Sequence, residues 1–200
     1  MATPTTKAEQ GEASRATLVR AARELFTERG YGGVGTEEIV RGAKLTRGAL
    51  YHHFADKKDL FRAVHEQIEE EVMGAIAAQM AAAASDADPF AVLALGTRAF
   101  LDACTDPAIT RIALVDAPSV LGWEEWREID ARYGLGIVVA GLQGGMDAGV
   151  LRRQPVQPLA HLLLGAIGEA GMVIANAADP ELARAEVEPA LLGLLEGLRA

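Results

Sequence analysis

The sequence contains one cysteine, few aromatic residues and few runs of β-branched residues. Cys104 cannot form a disulfide within the chain, which fits a reducing compartment, and its simplest role is that of a small buried apolar residue. Aromatic residues make up only 5% of the chain, whereas Ala, Leu and Gly are abundant, and this balance favours helices over strands. The first seventeen residues are polar and lack the apolar segment of a secretory signal. We therefore expect a cytoplasmic, helical protein.

The chain also lacks a net positive charge, because its formal net charge is −9. Taken alone, this value argues against a nucleic-acid partner. The charges are unevenly distributed, however. Residues 1–65 hold eleven Lys and Arg against eight Asp and Glu, whereas residues 66–200 hold eight against twenty. A mildly basic N-terminal part can face phosphates while the acidic remainder keeps the chain soluble.

One stretch, residues 159–178, is long and apolar enough to be considered as a membrane span. His161, Glu169 and Asn176 interrupt it, and no basic cluster flanks both of its ends. We interpret the stretch as a buried helix or a subunit interface.

Residues 36–60 carry the densest set of local structure signals. Thr36 and Thr46 are candidate N-caps of two short helices, and Asp56 is a candidate N-cap of a longer third helix. Within the second helix, Leu50 and Phe54 are four residues apart and should point into a small core. Two short helices joined by a tight turn form the helix-turn-helix layout, although three ordinary surface helices of a bundle are the alternative.

The outward face of the second helix is rich in hydrogen-bond donors and carries no carboxylate. Such a face suits the major groove of DNA, with Arg47 on a base and its neighbours mainly on phosphates. The residues predicted to contact DNA are Thr36, Thr46, Arg47, Gly48, Ala49, Tyr51, His52, His53 and Lys57.

At these residues the segment from Leu18 to Phe61 resembles the DNA-binding domain of the tetracycline-repressor-like (TetR/AcrR) regulators. The resembling residues are Ala22, Leu25, Phe26, Gly30, Tyr31, Thr36, Ile39, the run from Leu45 to Phe54, Lys57 and Leu60. Two residues depart from the family pattern. Lys44 stands in the turn where glycine is usual, so a residue with positive φ is expected there. His52 stands where tyrosine or tryptophan is common.

The resemblance implies a ligand-responsive transcriptional regulator that is not an enzyme and needs no cofactor or metal. A repressor is favoured over an activator. The implied partners are an inverted-repeat operator in double-stranded DNA, a small-molecule effector and a second copy of the chain. A regulator without an effector, its C-terminal part fully packed, is an alternative.

Residues 30–35 match the dinucleotide-binding pattern G-x-G-x-x-G, which raises the further alternative of a helical enzyme. That pattern binds a pyrophosphate only when a strand precedes the loop. An amphipathic helix precedes it here, so we interpret the glycines as a helix stop and a flexible connection.

The whole chain is predicted to be all-α, with about nine helices. Residues 1–14 are expected to form a mobile arm, residues 15–62 a three-helix DNA-binding head, and residues 63–200 a ligand-binding and dimerisation body. A long helix from Lys57 to about Ala84 joins head and body. Asp-Pro pairs predict helices that begin near residues 89, 107 and 180, with others near 123 and 155.

An effector pocket is expected among the body helices, because both tryptophans lie in one stripe of the helix that begins near residue 123. The predicted lining residues are Phe100, Cys104, Ile112, Trp123, Trp126, Tyr133, Gln143, Met146 and His161, and Asp130 is a further polar candidate. Plain core packing is the alternative for each of them.

Homodimerisation is expected through helices at about 155–178 and 180–199. The first has small residues that allow close helix packing, and the second has more leucines than a lone terminal helix needs. Pro189 should kink the second helix or start it afresh. Packing within one chain is the alternative.

Overall fold

The computed structural model describes residues 7–84 and 88–200, and within these residues the fold is all-α, as predicted. The helices are α1 Lys7–Arg29, α2 Thr36–Gly42, α3 Arg47–His53, α4 Lys57–Ala83, α5 Pro89–Ala103, a π-helical segment π1 Ile109–Asp116, α6 Ala117–Leu121, α7 Trp123–Asp147, α8 Val156–Ala175 and α9 Pro180–Glu196. In the described part of the chain the only β pairing is an isolated antiparallel bridge between Leu151 and Arg199.

Helix α1 begins earlier than the sequence suggested. Residues 7–14, predicted to belong to a mobile arm, are helical, which corrects that part of the prediction, whereas residues 1–6 lie outside the described residues. The added turns pack against the end of α3: a Cβ on Gly11 would lie 3.8 Å from the ring of His53. The guanidinium of Arg15 lies 5.3 Å from the centroid of the Phe54 ring. These tertiary contacts, which the polar composition conceals, account for the longer helix.

Most predicted helix starts are confirmed, with one correction. Thr46 Oγ1 accepts a hydrogen bond from the amide of Ala49 at 3.1 Å, and the Asp56 carboxylate accepts one from Asp59 at 2.8 Å. Thr36, in contrast, is the first residue of α2 and not its N-cap. Gly35 is the N-cap, and the Glu38 carboxylate accepts its amide proton at 3.0 Å.

The Asp-Pro pairs also act as predicted, since each aspartate accepts a backbone amide of the helix that follows. The distances are 3.2 Å for Asp88, 2.8 Å for Asp106 and 3.0 Å for Asp179. An aspartate before a proline therefore marks the start of a helix at all three positions.

The helix after Asp106 is π-helical over eight residues, and Pro118 explains part of this geometry. The Ala117 amide donates to the carbonyl of Ile112, five residues back. Since Pro118 has no amide proton, it cannot donate to the carbonyl of Ala113. That carbonyl accepts the indole N–H of Trp126 instead, at 3.1 Å. The segment is thereby tied to α7.

The glycine-rich loop 30–35 follows helix α1 and not a strand, so the requirement for dinucleotide binding is not met. Gly30 adopts φ 68°, which ends α1, and the guanidinium of Arg111 occupies the space that a side chain at this position would need. The glycine therefore serves the turn and the close approach of π1.

Two hydrophobic cores fill the protein. The first surrounds the edge-to-face pair Phe26 and Phe61, with ring centroids 5.3 Å apart, and extends to Ile112 and Ile129 of the body. The second surrounds residues such as Leu142 and Ile174. The head thus shares its core with part of the body. The predicted division at residue 62 falls within α4 and stays a prediction.

Helices α8 and α9 pack on each other at one side of the body. Helix α9 runs unbroken through Pro189, so it does not start afresh there. Helix α8 is long and apolar enough to cross a membrane by composition, but 44% of its most apolar window is buried in the protein. Of the six large apolar side chains exposed in the described structure, four lie on these two helices: Leu162, Val173, Leu182 and Leu194.

Candidate functional site

Helix α3 is held by its inward face, which leaves its other face free. Leu50 is fully buried and Phe54 nearly so, as their four-residue spacing predicted. The exposed residues are Thr46, Arg47, Gly48, Tyr51 and His52, and Thr36, Ala49 and His53 are half-buried. Seven of the nine predicted DNA-contacting residues therefore lie on α3 or at its N-cap, at or beside one surface that we call the α3 face, whereas Thr36 begins α2.

Arg47 is the most accessible strong donor on the α3 face. Its side chain is 66% exposed, and its nearest carboxylate, Glu37, is 3.8 Å away and itself exposed. Its guanidinium carbon lies 5.5 Å from the centroid of the Tyr51 ring. An exposed pair at this distance contributes little, so the guanidinium is available to a planar acceptor such as a guanine edge.

Lys57 has a different environment from the one predicted. Its ammonium donates to the carbonyls of Tyr31 and Val34, both at 2.9 Å, and lies 3.9 Å from the centroid of the Tyr31 ring. Burial lowers the pKa of this lysine. Two of the three ammonium N–H donors thereby tie the glycine-rich loop to the start of α4, and the phosphate contact of Lys57 stays a prediction.

The turn between α2 and α3 contains the expected backbone outlier. Lys44 has φ 54°, the left-handed region in which glycine is favoured. The amide of Leu45 donates to the carbonyl of Val40 across this turn at 2.9 Å. The departure from the family glycine therefore keeps the turn geometry at some conformational cost.

The body contains two adjoining cavities, which we call together the body cavity. Their empty volumes are about 530 and 400 Å³, including space open to solvent. They share Met73, Phe100, Asp130 and Gly168. The other lining residues are Ile76, Met80, Leu93, Gly96, Thr97, Gly134, Ile137, Val138, Leu164 and Ile167 in the first cavity, and Ile68, Glu69, Val72, Ile109, Ala113, Leu114 and Trp126 in the second.

Of the nine residues predicted to line a pocket, only Phe100 and Trp126 line the body cavity, as does the further candidate Asp130. The other seven predictions are wrong. Cys104, Ile112 and Met146 are buried in the cores, and Tyr133 is half-buried beside a surface cleft. Gln143 is exposed and donates a hydrogen bond to Asp147, His161 is exposed on α8, and Trp123 is 65% exposed. Helix α7 turns residues 126, 130, 134, 137 and 138 toward the cavity, and its residues Tyr133 and Gln143 fall outside that phase.

Sequence reasoning missed Glu69, the polar residue that distinguishes the cavity. It lies next to Ile68 on α4, and Met73, four residues on, lines the same space. The signal was present, because an acid beside a continuous apolar stripe on a helix is a candidate for burial.

Glu69 and His65 form a buried, poorly paired dyad one helical turn apart. Glu69 is 13% exposed, and its carboxylate is 3.8 Å from Nδ1 of the fully buried His65. Neither ring nitrogen of His65 has a hydrogen-bond partner among the described residues. Burial raises the pKa of Glu69 to about 8, with the Asp130 carboxylate adding to the rise. Burial lowers the pKa of His65 to about 4.

These pKa values predict how stability depends on pH. From pH 4 to 8 the folded dyad holds one proton, whereas the unfolded residues, with pKa values of 4.5 and 6.5, hold none above pH 6.5. Because the folded state then binds more protons, the free energy of unfolding should fall as the pH rises, by about 1 kcal/mol between pH 6.5, where the unfolded histidine is still half protonated, and pH 8, where the folded Glu69 is half ionised. Between about pH 4.5 and 6.5 the unfolded chain holds one proton on the histidine, and the folded chain holds one on Glu69. The two states then bind equal numbers of protons, so the free energy of unfolding changes little with pH in this range.

Glu69→Gln should remove the fall in the free energy of unfolding between pH 6.5 and 8, since the amide carries no titrating proton. Urea unfolding of both proteins at pH 6.5 and 8 measures the difference. An equal loss of stability in the variant would show that Glu69 is already ionised at pH 6.5.

Comparison with known proteins supports a common family for both parts of the chain. Residues 18–64 match the model described as bacterial regulatory proteins, tetR family, and residues 90–198 match the tetracyclin repressor-like C-terminal domain. The TetC protein of transposon Tn10 from Escherichia coli is 31% identical over 149 residues, which cover 74% of either chain.

Solved structures agree with these matches. A TetR-family transcriptional regulator from Pectobacterium atrosepticum superposes with a TM-score of 0.87 and 36% identity over 98% of both chains. RolR in complex with resorcinol gives a TM-score of 0.72 at 24% identity, over 94% of this chain and 90% of RolR. The second likeness concerns the fold alone.

Proposed function

The chain belongs to the tetR family of transcriptional regulators, and from this premise we propose that it is a repressor released from its operator by a small molecule. The observation that carries the proposal is the exposed, donor-rich α3 face, whose core side chains are buried behind it. Regulators of this family bind DNA and work as dimers. Cytoplasmic operation fits this role.

In the proposed complex, α3 lies in the major groove and Arg47 reads a base. Thr46, Tyr51, His52 and His53 then reach phosphates or base edges, and Thr36 at the start of α2 reaches a phosphate. Gly48 and Ala49 permit a close approach of the backbone. A Cβ on Gly48 would make only an ordinary contact, 3.8 Å from Thr46 Oγ1, so the fold itself does not require glycine there.

The proposed dimer interface is formed by α8 and α9 of both subunits. Leu162 on α8 is 74% exposed and Leu194 on α9 is 63% exposed. Exposed leucines on two packed helices make an apolar face that a two-fold copy can cover. The paired heads would then face two half-sites of an inverted repeat.

We propose that π1 and α4 transmit effector binding to the head. Segment π1 supplies Ile109, Ala113 and Leu114 to the body cavity, and at its end Asp116 accepts the amide of Tyr31 from the head at 2.7 Å. On α4, Lys58 donates to the carbonyl of Leu121 at 3.1 Å. An effector that fits one position of these elements better than the other shifts the spacing of the heads.

A direct test combines operator binding with ligand release. The protein should retard the chromosomal DNA that adjoins its own gene in a gel shift, with competitor DNA present. Ligands that raise its melting temperature in a diverse screen should release that DNA. RolR holds resorcinol within the same fold, which supports a small-molecule effector. Tight specific binding that no stabilising ligand reverses would favour an effector-independent regulator, and absence of specific binding would refute the proposal.

A further inference from the structure

The polar groups that line the body cavity are nearly all acceptors. The hydroxyl of Thr97 donates to the carbonyl of Leu93 at 3.0 Å, and the indole N–H of Trp126 donates to Ala113. The two remaining polar lining groups in the described structure are the carboxyls of Glu69 and Asp130. A ligand in this space therefore meets oxygen acceptors, two aromatic faces and aliphatic side chains.

This composition excludes an anionic ligand. Among the described lining residues there is no lysine, arginine or histidine, and the donors named above are already used. A carboxylate or phosphate brought into the cavity would lose its hydration and lie beside the Asp130 carboxylate, with no cationic partner among the described lining residues.

The two carboxyls differ in how they are compensated. Arg127 donates to Asp130 Oδ2, so Asp130 already has a cationic partner. Glu69 accepts no hydrogen bond from any residue in the described ranges, and the buried, neutral imidazole of His65 lies 3.8 Å from its carboxylate. One positive charge is therefore missing beside Glu69 for both acids to be ionised.

The walls around the acids suit a cation rather than a neutral donor. Trp126 and Phe100 line the same cavity as Glu69 and Asp130, together with the thioether of Met73. Aromatic faces attract a desolvated ammonium, and Trp is the most effective of them. A neutral hydroxyl could bond to one carboxyl, but unlike a cation it would not favour the ionised form of Glu69.

We propose that the effector is an apolar organic monocation, an amine or quaternary ammonium, whose charge lies between Glu69 and Asp130. Its apolar part would lie between α4, α5, α7 and α8, whose apolar side chains line the first cavity. This inference rests on the proposed regulation by an effector and names its chemical class.

Binding of such a cation should release a proton. At pH 7 the empty cavity holds Glu69 protonated, since its pKa is about 8, and a bound cation favours the ionised form. The other ionisable groups near it are His65 on α4, Asp130 with Arg127 on α7, Tyr133 on α7, and Cys104 after α5, whose pKa burial raises to about 12. Segment π1 and α8 face the cavity with apolar residues and glycine only.

The test uses three ligands of one size: benzyltrimethylammonium, its neutral isostere neopentylbenzene, and the anion 3-phenylpropanoate. Calorimetry on the full-length protein at pH 7 should show saturable binding of the cation, at least tenfold weaker binding of the neutral compound, and none of the anion. Comparing buffers of different ionisation enthalpy should give roughly one proton released at pH 7. Affinity for the cation should rise up to tenfold per pH unit and level off above pH 8.

Glu69→Gln should weaken binding of the cation at least tenfold and abolish proton release. The affinity for neopentylbenzene should stay unchanged. Glu70→Gln, at an exposed position of the same helix, is the matched control and should change nothing. The inference would be overturned if the neutral compound or the anion bound as tightly as the cation or more tightly, or if the cation showed no saturable binding below millimolar concentration. It would also be overturned if Glu69→Gln bound the cation as the unmodified protein does. Gel shifts separate the two proposals, because specific DNA binding that cations fail to reverse refutes only this one.

Discussion

Aspartate in place of Leu194 is expected to convert the dimer into a monomer and to weaken operator binding at least 100-fold. Leu194 lies on the last turn of α9 and is 63% exposed in the isolated subunit. At a two-fold interface the substitution appears twice, and each buried, unpaired carboxylate costs several kcal/mol. A hundredfold loss corresponds to about 2.7 kcal/mol, well within that cost. Sedimentation velocity and gel shifts measure the two effects.

Ala82→Asp is a suitable control, because Ala82 is also exposed and lies in the last turn of a helix, α4. The control should remain dimeric and bind DNA normally. If Leu194→Asp stays dimeric at micromolar concentration while folding correctly, the subunits pair through another surface.

Replacing Arg47 with alanine is expected to weaken specific operator binding by roughly 1–3 kcal/mol per half-site, hence about 2–6 kcal/mol for the dimer. The loss should be specific, so affinity for unrelated DNA should fall much less. Stability should be unaffected, because the side chain is 66% exposed and its contact with Glu37, at 3.8 Å, is weak. Fluorescence anisotropy with operator and scrambled duplexes measures both affinities.

Arg153→Ala serves as the control, since it removes the same charge from an exposed position on the body. It should leave both affinities unchanged. Equal losses for operator and scrambled DNA in Arg47→Ala would place Arg47 on a phosphate and transfer base recognition to another residue of the α3 face.

The sequence was most informative where local chemistry decides structure. Thr46 and the Asp-Pro pairs carry their own hydrogen-bond acceptors, so their helix starts could be read directly. The spacing of Leu50 and Phe54 identified the buried side of α3 and therefore its exposed side. Lys44 in a turn that favours glycine correctly indicated a positive φ.

The sequence was least informative where the position of a side chain depends on how the helices are rotated against one another. The aromatic stripe of α7 placed Trp123 in a pocket, but the helix begins there and its first side chain faces solvent. Glu69 is buried because α5, α7 and π1 close over it, and its place beside the apolar stripe of α4 makes it a candidate for burial without showing which helices cover it. Lys57 matches a family position, yet two nearby carbonyls accept two of its three N–H donors, which its local sequence does not show.

The most direct test of the central claim is methylation protection of guanine N7 on the DNA adjoining the gene. If α3 lies in the major groove, the protein should protect guanines in two half-sites related by a two-fold axis, whose centres are about one helical turn or a multiple of it apart. Arg47→Ala should lose protection at one symmetric pair of guanines and keep the rest. An absence of guanine N7 protection, protection in a single half-site, or a pattern that Arg47→Ala leaves intact would contradict the account.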